Sequence, residues 1–112
     1  MSVRATKEVI LAYWKSWQIK DWDMMKGSLA DSLDFGGQVM PRDAFVQFCQ
    51  QGTPWQDVEL IDSLFTADGG ALIYEGTDSK DGTRIRVAEI VRVEGGKVAG
   101  ANACFGTGTP PQ

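Results

Sequence analysis

"RIRVAEIVRVEGGKVAGANACF", residues 84–105, decides the fold of this chain. Its first ten residues alternate with the two-residue beat of a β-strand. Ile85, Val87, Glu89, Val91 and Val93 share one face, and Arg84, Arg86, Ala88, Ile90 and Arg92 share the other. Glu94, Gly95 and Gly96 then supply turn chemistry, and Lys97 to Phe105 resumes a strand, which reads as an antiparallel hairpin. One carboxyl, Glu89, interrupts the apolar row. Burying an unpaired charge is among the costliest steps in folding, and the three arginines of the stretch point the other way. Two explanations stand open. Either Glu89 keeps its proton, its pKa raised by desolvation, and donates a hydrogen bond into a cavity, or it is ionised and met by Arg42, a lysine or ordered water.

Upstream, "DVELIDSLFTA" and "ALIYEGT" carry the same strand chemistry and are separated by short turns, so an antiparallel meander runs from Trp55 onward. Three helices are expected before it. Thr6 can cap the first, with Glu8 in its first turn and Ile10, Tyr13, Trp14 and Trp17 forming one buried stripe that runs to about Lys20. Asp21 caps a second, short helix through Trp22, Met25 and Leu29, weakened by Gly27. "DSLDFGGQVM" suits a short edge strand with a bulge or sharp bend. Pro41 then opens a third helix at its first position, with Phe45, Phe48 and Cys49 on one side and Gly52 past its end. Helices first and a meander afterwards make an α+β domain. Residues 1–112 form a single domain in this reading, with 106–112 as a flexible tail.

The 112 residues, 43% hydrophobic and 23% charged, suffice for one packed interior. A formal charge of −4 without any lysine or arginine cluster argues against a nucleic-acid partner. The charged N-terminus lacks the apolar core of a signal peptide and no stretch reaches membrane-spanning length, so no membrane association and a cytoplasmic location are expected. The chain has no histidine. That removes Ser-His and Cys-His nucleophile pairs, histidine bases and most zinc sites, and neither a metal nor another cofactor is expected. Cys49 and Cys104 read as two small buried hydrophobes.

The segments "AYWKSWQIKDWDMMKGSLAD", "PRDAFVQF" and "VAEIVRVEGGKVAGANACF", in that order and spacing, resemble the nuclear-transport-factor-2-like superfamily, specifically its SnoaL-like and ketosteroid-isomerase-like branch. The resemblance spans Thr6 to about Phe105. It implies a cone-shaped half-barrel in which three N-terminal helices pack in a curved antiparallel sheet around an apolar pocket, commonly in a homodimer formed through the outer sheet face. Ketosteroid-isomerase-like members enolise a substrate: a carboxylate base moves the proton while a tyrosine and a protonated carboxylic acid donate hydrogen bonds to the oxyanion. Carried onto this chain, the tyrosine falls on Tyr13 and the acid on Glu89. The base position falls on Gly37 without a gap and on Asp34 only with one, and Asp34 alternates out of phase with Leu33 and Phe35.

Asp62 interrupts the row Val58, Leu60, Leu64 as Glu89 interrupts its own, which makes it a second candidate pocket carboxyl unless a bulge turns it outward. Trp17, Trp22, Met25 and Phe35 would line the cavity, and Asn102, between the small residues Gly100 and Cys104, could orient a ligand. The expected function is binding of a small, largely apolar ligand in the pocket of a homodimer. If the chain is an enzyme, the reaction is proton transfer, isomerisation or cyclisation of a carbonyl compound, with Glu89 and Tyr13 as donors and Asp34 or Asp62 as base. The rival expectation is a non-catalytic dimerisation or protein-association module with a closed core.

Overall fold

The computed structural model describes residues 2–52 and 55–107. Helix α1 (Val3–Ile19) is capped by Ser2, whose hydroxyl accepts the Ala5 N–H at 3.1 Å. The helix therefore starts a turn earlier than a Thr6 cap would allow. Thr6 is fully buried inside it and donates its hydroxyl to the Ala67 carbonyl at 2.7 Å. Lys20 closes α1 in the left-handed conformation, φ 58°, and Asp21 at once caps α2 (Trp22–Ser28) by accepting the Met24 N–H at 3.0 Å.

Strands β1 (Leu29–Phe35) and β2 (Gln38–Pro41) form a hairpin across Gly36 and Gly37, whose φ values of +61° and +91° admit glycine far more readily than other residues. Helix α3 (Arg42–Gln50) follows directly, with Pro41 at the cap and not at the first helical position. Then come β3 (Trp55–Phe65), β4 (Gly69–Asp78), β5 (Arg84–Glu94) and β6 (Lys97–Thr107).

The sheet order is β2-β1-β6-β5-β4-β3. Strands β3 to β6 form the antiparallel meander that the turn chemistry predicts, but β1 lies parallel to β6, so the sheet is mixed and not wholly antiparallel. Turn residues dictate only pairs joined by a hairpin, and β1 meets β6 across most of the chain. The edge role accordingly falls to β2, while β1 is interior. Of the expected tail, Gly106 and Thr107 belong to β6, paired with Arg86 and Ile85; residues 108–112 lie outside the described residues.

On β5, Val87, Glu89, Val91 and Val93 are buried while Arg86, Ala88, Ile90 and Arg92 are exposed. The inner residues meet Ile10 of α1, Met25 of α2, Phe45 of α3, Leu33 of β1 and Leu72 of β4 in one core. Both cysteines are free thiols, and Cys104 is exposed, contrary to the expectation of burial. It shares the outer face of β6 with Asn102, opposite Ala101 and Ala103. No helix of the described residues is long and apolar enough to cross a membrane.

One glycine bears directly on the site described below. Gly76 of β4 is buried under the Trp55 ring, and a Cβ there would fall on the ring's Cε3. Gly76→Ala should therefore push Trp55 out of place and destabilise the fold by about 1–3 kcal/mol. A lowered urea midpoint with a shifted tryptophan emission maximum checks this; unchanged emission and midpoint would show that the ring does not rest on the strand.

Candidate functional site

The pleat of β5 turns Glu89 inward, leaving it 5% exposed. Directly opposite it on β6 stands Ala103, whose small side chain leaves room beside the carboxyl. On the other flank Leu72 is its partner on β4, and Tyr74, two residues along the same face, is close enough for its side chain to reach diagonally. The Tyr74 hydroxyl donates to Glu89 Oε1 at 2.7 Å, and the Tyr13 hydroxyl, presented by α1, donates to Glu89 Oε2 at 2.8 Å. Both tyrosines are buried.

Among the described residues no cation pairs with this carboxyl, neither the expected Arg42 or a lysine nor the outward arginines of β5. Arg86 pairs with Glu75 at 2.6 Å, Arg84 with Glu75 at 3.4 Å and with the Asp57 carbonyl, and Arg42 with Asp31 at 3.4 Å. Burial raises the Glu89 pKa above its ordinary value, and the two tyrosine hydrogen bonds pull it back in part. Burial, together with the negative charge that Glu89 carries when ionised, pushes the pKa of Tyr13 well up and that of Tyr74 up as well. The Cys49 thiol is pushed up to about 12 by the same two causes. All three groups around the carboxyl hold their protons at neutral pH.

Glu89 lies in the wall of a cavity of about 410 Å³. Two chains of ring contacts run through its lining, each starting at one of the two tyrosines. Tyr13 meets Phe45 at 6.3 Å between centroids, Phe45 meets Phe35 at 5.5 Å, and Phe35 meets Phe48 at 5.5 Å. Tyr74 meets Trp14 at 5.6 Å, Trp17 at 6.1 Å and Trp55 at 6.5 Å, and Trp55 meets Phe105 at 6.5 Å. Phe48 and Phe105 end the chains more than half exposed, at the rim. Met25, Cys49, Ile85 and Ala103 fill the gaps, and no lysine or arginine is part of the lining. Among the described residues the buried indole N–H of Trp14 has no acceptor. Among the described residues no cluster of metal-ligating side chains occurs.

Of the residues singled out from sequence, Tyr13, Glu89, Trp17, Met25 and Phe35 come together here. Trp22 lines a smaller adjoining depression that shares Trp17, Cys49 and Trp55 with the cavity and carries Lys20. Asp34 is exposed, its carboxylate accepting the Gly37 N–H of the β1–β2 turn at 2.8 Å. Asp62 is exposed too, because Ile61 is an extra residue between the pairs Leu60–Tyr74 and Asp62–Ile73, and that bulge reverses which face Asp62 joins. Asn102 points outward, paired with Ile90. Neither aspartate nor Asn102 lines the cavity, so a carboxylate base from Asp34 or Asp62 and ligand orientation by Asn102 are not supported by their placement. Tyr74 was missed, although its parity with Leu72 in "ALIYEGT" was a usable signal.

No protein-family profile matches the sequence, and no curated protein does. Solved structures do match in fold. A provisionally assigned ketosteroid isomerase from Kribbella flavida superposes with a TM-score of 0.84 at 16% identity, covering 98% of this chain and 84% of that one. An NTF2-like protein of unknown function from Mesorhizobium loti gives 0.77 at 19% identity, covering 93% of both chains. Another from Burkholderia xenovorans gives 0.78 at 16% identity, covering 97% of this chain and 88% of that one.

Because burial raises the Glu89 pKa above 4.5, the folded state keeps a proton at pH values where the unfolded chain has released it. Its contribution to stability is full below about pH 4.5 and is lost as pH rises through the folded-state pKa. Glu89→Gln abolishes that slope. Urea midpoints of both proteins from about pH 4 to about pH 8 should therefore converge or cross on the alkaline side, wild type losing ground; parallel curves would mean that Glu89 has no raised pKa.

Proposed function

We propose a function that starts from architecture alone: the fold is that of the NTF2-like proteins, three helices with a six-stranded sheet, shared at 16–19% identity.

We propose that the chain binds a small, largely apolar, ring-bearing molecule, with Glu89 and its two tyrosines at the polar end of the site. The observation that carries this reading is a single buried carboxyl, held by Tyr13 and Tyr74, in the wall of an open cavity whose lining is mostly aromatic. Ligand cavities combine an apolar lining with a few convergent polar groups in this way. A closed association module, by contrast, would have its aromatic rings packed against one another with no such space.

Proton transfer at a carbonyl compound is the second reading, favoured by the raised Glu89 pKa between two hydroxyls. A ketosteroid-isomerase-like course also asks for a separate carboxylate base, and Asp34 and Asp62 stand in solvent. Among the described residues, Glu89 is then the one carboxyl in the cavity lining able to exchange a proton with a substrate.

Thermal shift with planar phenols and cyclic ketones tests the binding reading. A compound held at about 100 times its Kd adds about 2.7 kcal/mol, a rise of roughly 10 °C for a domain of this size. Ala103→Phe, which fills the space beside Glu89, should abolish the rise while keeping the fold. No response from any ring compound, or an equal response from Ala103→Phe, would remove the cavity from consideration.

We further propose a homodimer through the outer sheet face, where Ile90 is 54% exposed beside Ala88. Sedimentation should give a dimer for wild type and a monomer for Ile90→Glu; a monomeric wild type would end that proposal.

A further inference from the structure

Hydrogen-bond polarity around Glu89 narrows the ligand class. The Tyr13 and Tyr74 hydroxyls each have one hydrogen, and both are directed at Glu89, one to each oxygen. That pattern suits an ionised carboxylate, since no proton needs to lie between the three groups. It also leaves the cluster offering lone pairs, on the carboxylate and on both phenolic oxygens, with neither hydroxyl hydrogen free for an oxyanion; the unpaired donor of the lining, among the described residues, is the Trp14 indole N–H.

The charge pattern agrees. Glu89 is the carboxyl of the lining, and the lining includes no lysine or arginine to neutralise it. Lys20 belongs to the adjoining depression. A carboxylate or phosphate ligand would meet uncompensated repulsion at buried Glu89, whereas a cation would supply the missing counter-charge in a dry setting where a hydrogen-bonded pair is at its strongest. Aromatic faces add to this, because a desolvated cation over a ring is attracted by its quadrupole. Tyr74 and Tyr13 each sit at the head of a chain of rings leading to the rim, so a flat apolar body could lie along them with its charged end at Glu89.

We infer that the ligand is an organic monocation, an ammonium or protonated nitrogen heterocycle on a flat apolar body, with its N–H donors on the Glu89–Tyr13–Tyr74 cluster. This rests on the binding reading above and narrows it. The titratable groups facing Glu89 are Tyr13 from α1, Cys49 from α3 and Tyr74 from β4, and all three stay neutral over the range where the carboxyl titrates. A bound cation favours ionised Glu89. Any proton the carboxyl holds in the empty protein is therefore released on binding.

Calorimetric titration with 2-naphthylmethylamine, 2-naphthylmethanol and 2-naphthoate separates the cases, since the three share one ring body and differ in charge. The amine should bind wild type at least about tenfold tighter than the alcohol, and naphthoate should bind weakest. Glu89→Gln should bind amine and alcohol within about twofold of each other. On wild type alone, amine affinity should fall as pH drops from about 8 to about 5 while alcohol affinity stays level, a comparison that holds even if Glu89→Gln fails to fold. Alcohol binding as tight as amine, or an amine preference that survives Glu89→Gln or ignores pH, would overturn the inference and leave the cavity reading intact. Failure of all three compounds to bind would overturn both.

Discussion

The structure depends on one constraint: a carboxyl group placed on the inner face of β5 must be satisfied without a cation. Left alone, a buried carboxyl forfeits several kcal/mol of hydration. Two tyrosine hydroxyls at 2.7 and 2.8 Å offset that, each a hydrogen bond to a charge-bearing group worth about 1.5–3 kcal/mol. Because one hydroxyl comes from α1 and the other from β4, the cluster also fixes geometry. Helix α1 can neither rotate nor slide along the sheet without withdrawing Tyr13. A one-residue slip of β5 would exchange Glu89 for Ile90 on the inner face and break both bonds at once.

Where the chain's local chemistry dictated structure, the sequence was legible. Alternation along β5 and two-residue glycine turns are properties of neighbouring residues, and the Asp21 cap needs only the N–H of Met24. The parallel pairing of β1 with β6 was not legible, since nothing local records a contact between the two ends of the sheet. Side-chain faces were lost for a more specific reason. In β3 the extra residue Ile61 turns Asp62 to solvent. In β6 the pairs Glu94–Lys97 and Val93–Val98 would continue to place Asn102 opposite Glu89, but Ala99 is an extra residue before Gly100, and Ala103 takes that place. A bulge costs one residue and reverses every assignment beyond it. Parity therefore located Glu89, on a strand paired regularly with β4, and failed for Asp62 and Asn102, which lie beyond bulges.

The same accident of parity shapes the chemistry. Asn102 opposite Glu89 would have brought an amide donor into the cavity; Ala103 brings space. The result is a cavity with large aromatic surface whose polar groups are the Glu89–Tyr13–Tyr74 cluster, the Cys49 thiol and the Trp14 indole N–H. The fold shared with the Kribbella and Mesorhizobium proteins is architecture, whereas the polarity of this cavity is set by this chain's own side chains.

The β1–β2 turn completes the argument about catalysis. Gly36 and Gly37 both take positive φ, and the Asp34 carboxylate accepts the Gly37 N–H at 2.8 Å, so Asp34 serves to hold this tight turn. A side chain at residue 37 would be strained by that backbone, and a base at residue 34 would have to leave the turn and cross to the inner face now occupied by Leu33 and Phe35. The hairpin itself thus keeps Asp34, and any side chain at position 37, from standing in the cavity as the base of an enolisation. What the cavity lining retains is the Glu89 carboxyl, whose pKa burial raises and the two tyrosine hydrogen bonds lower in part.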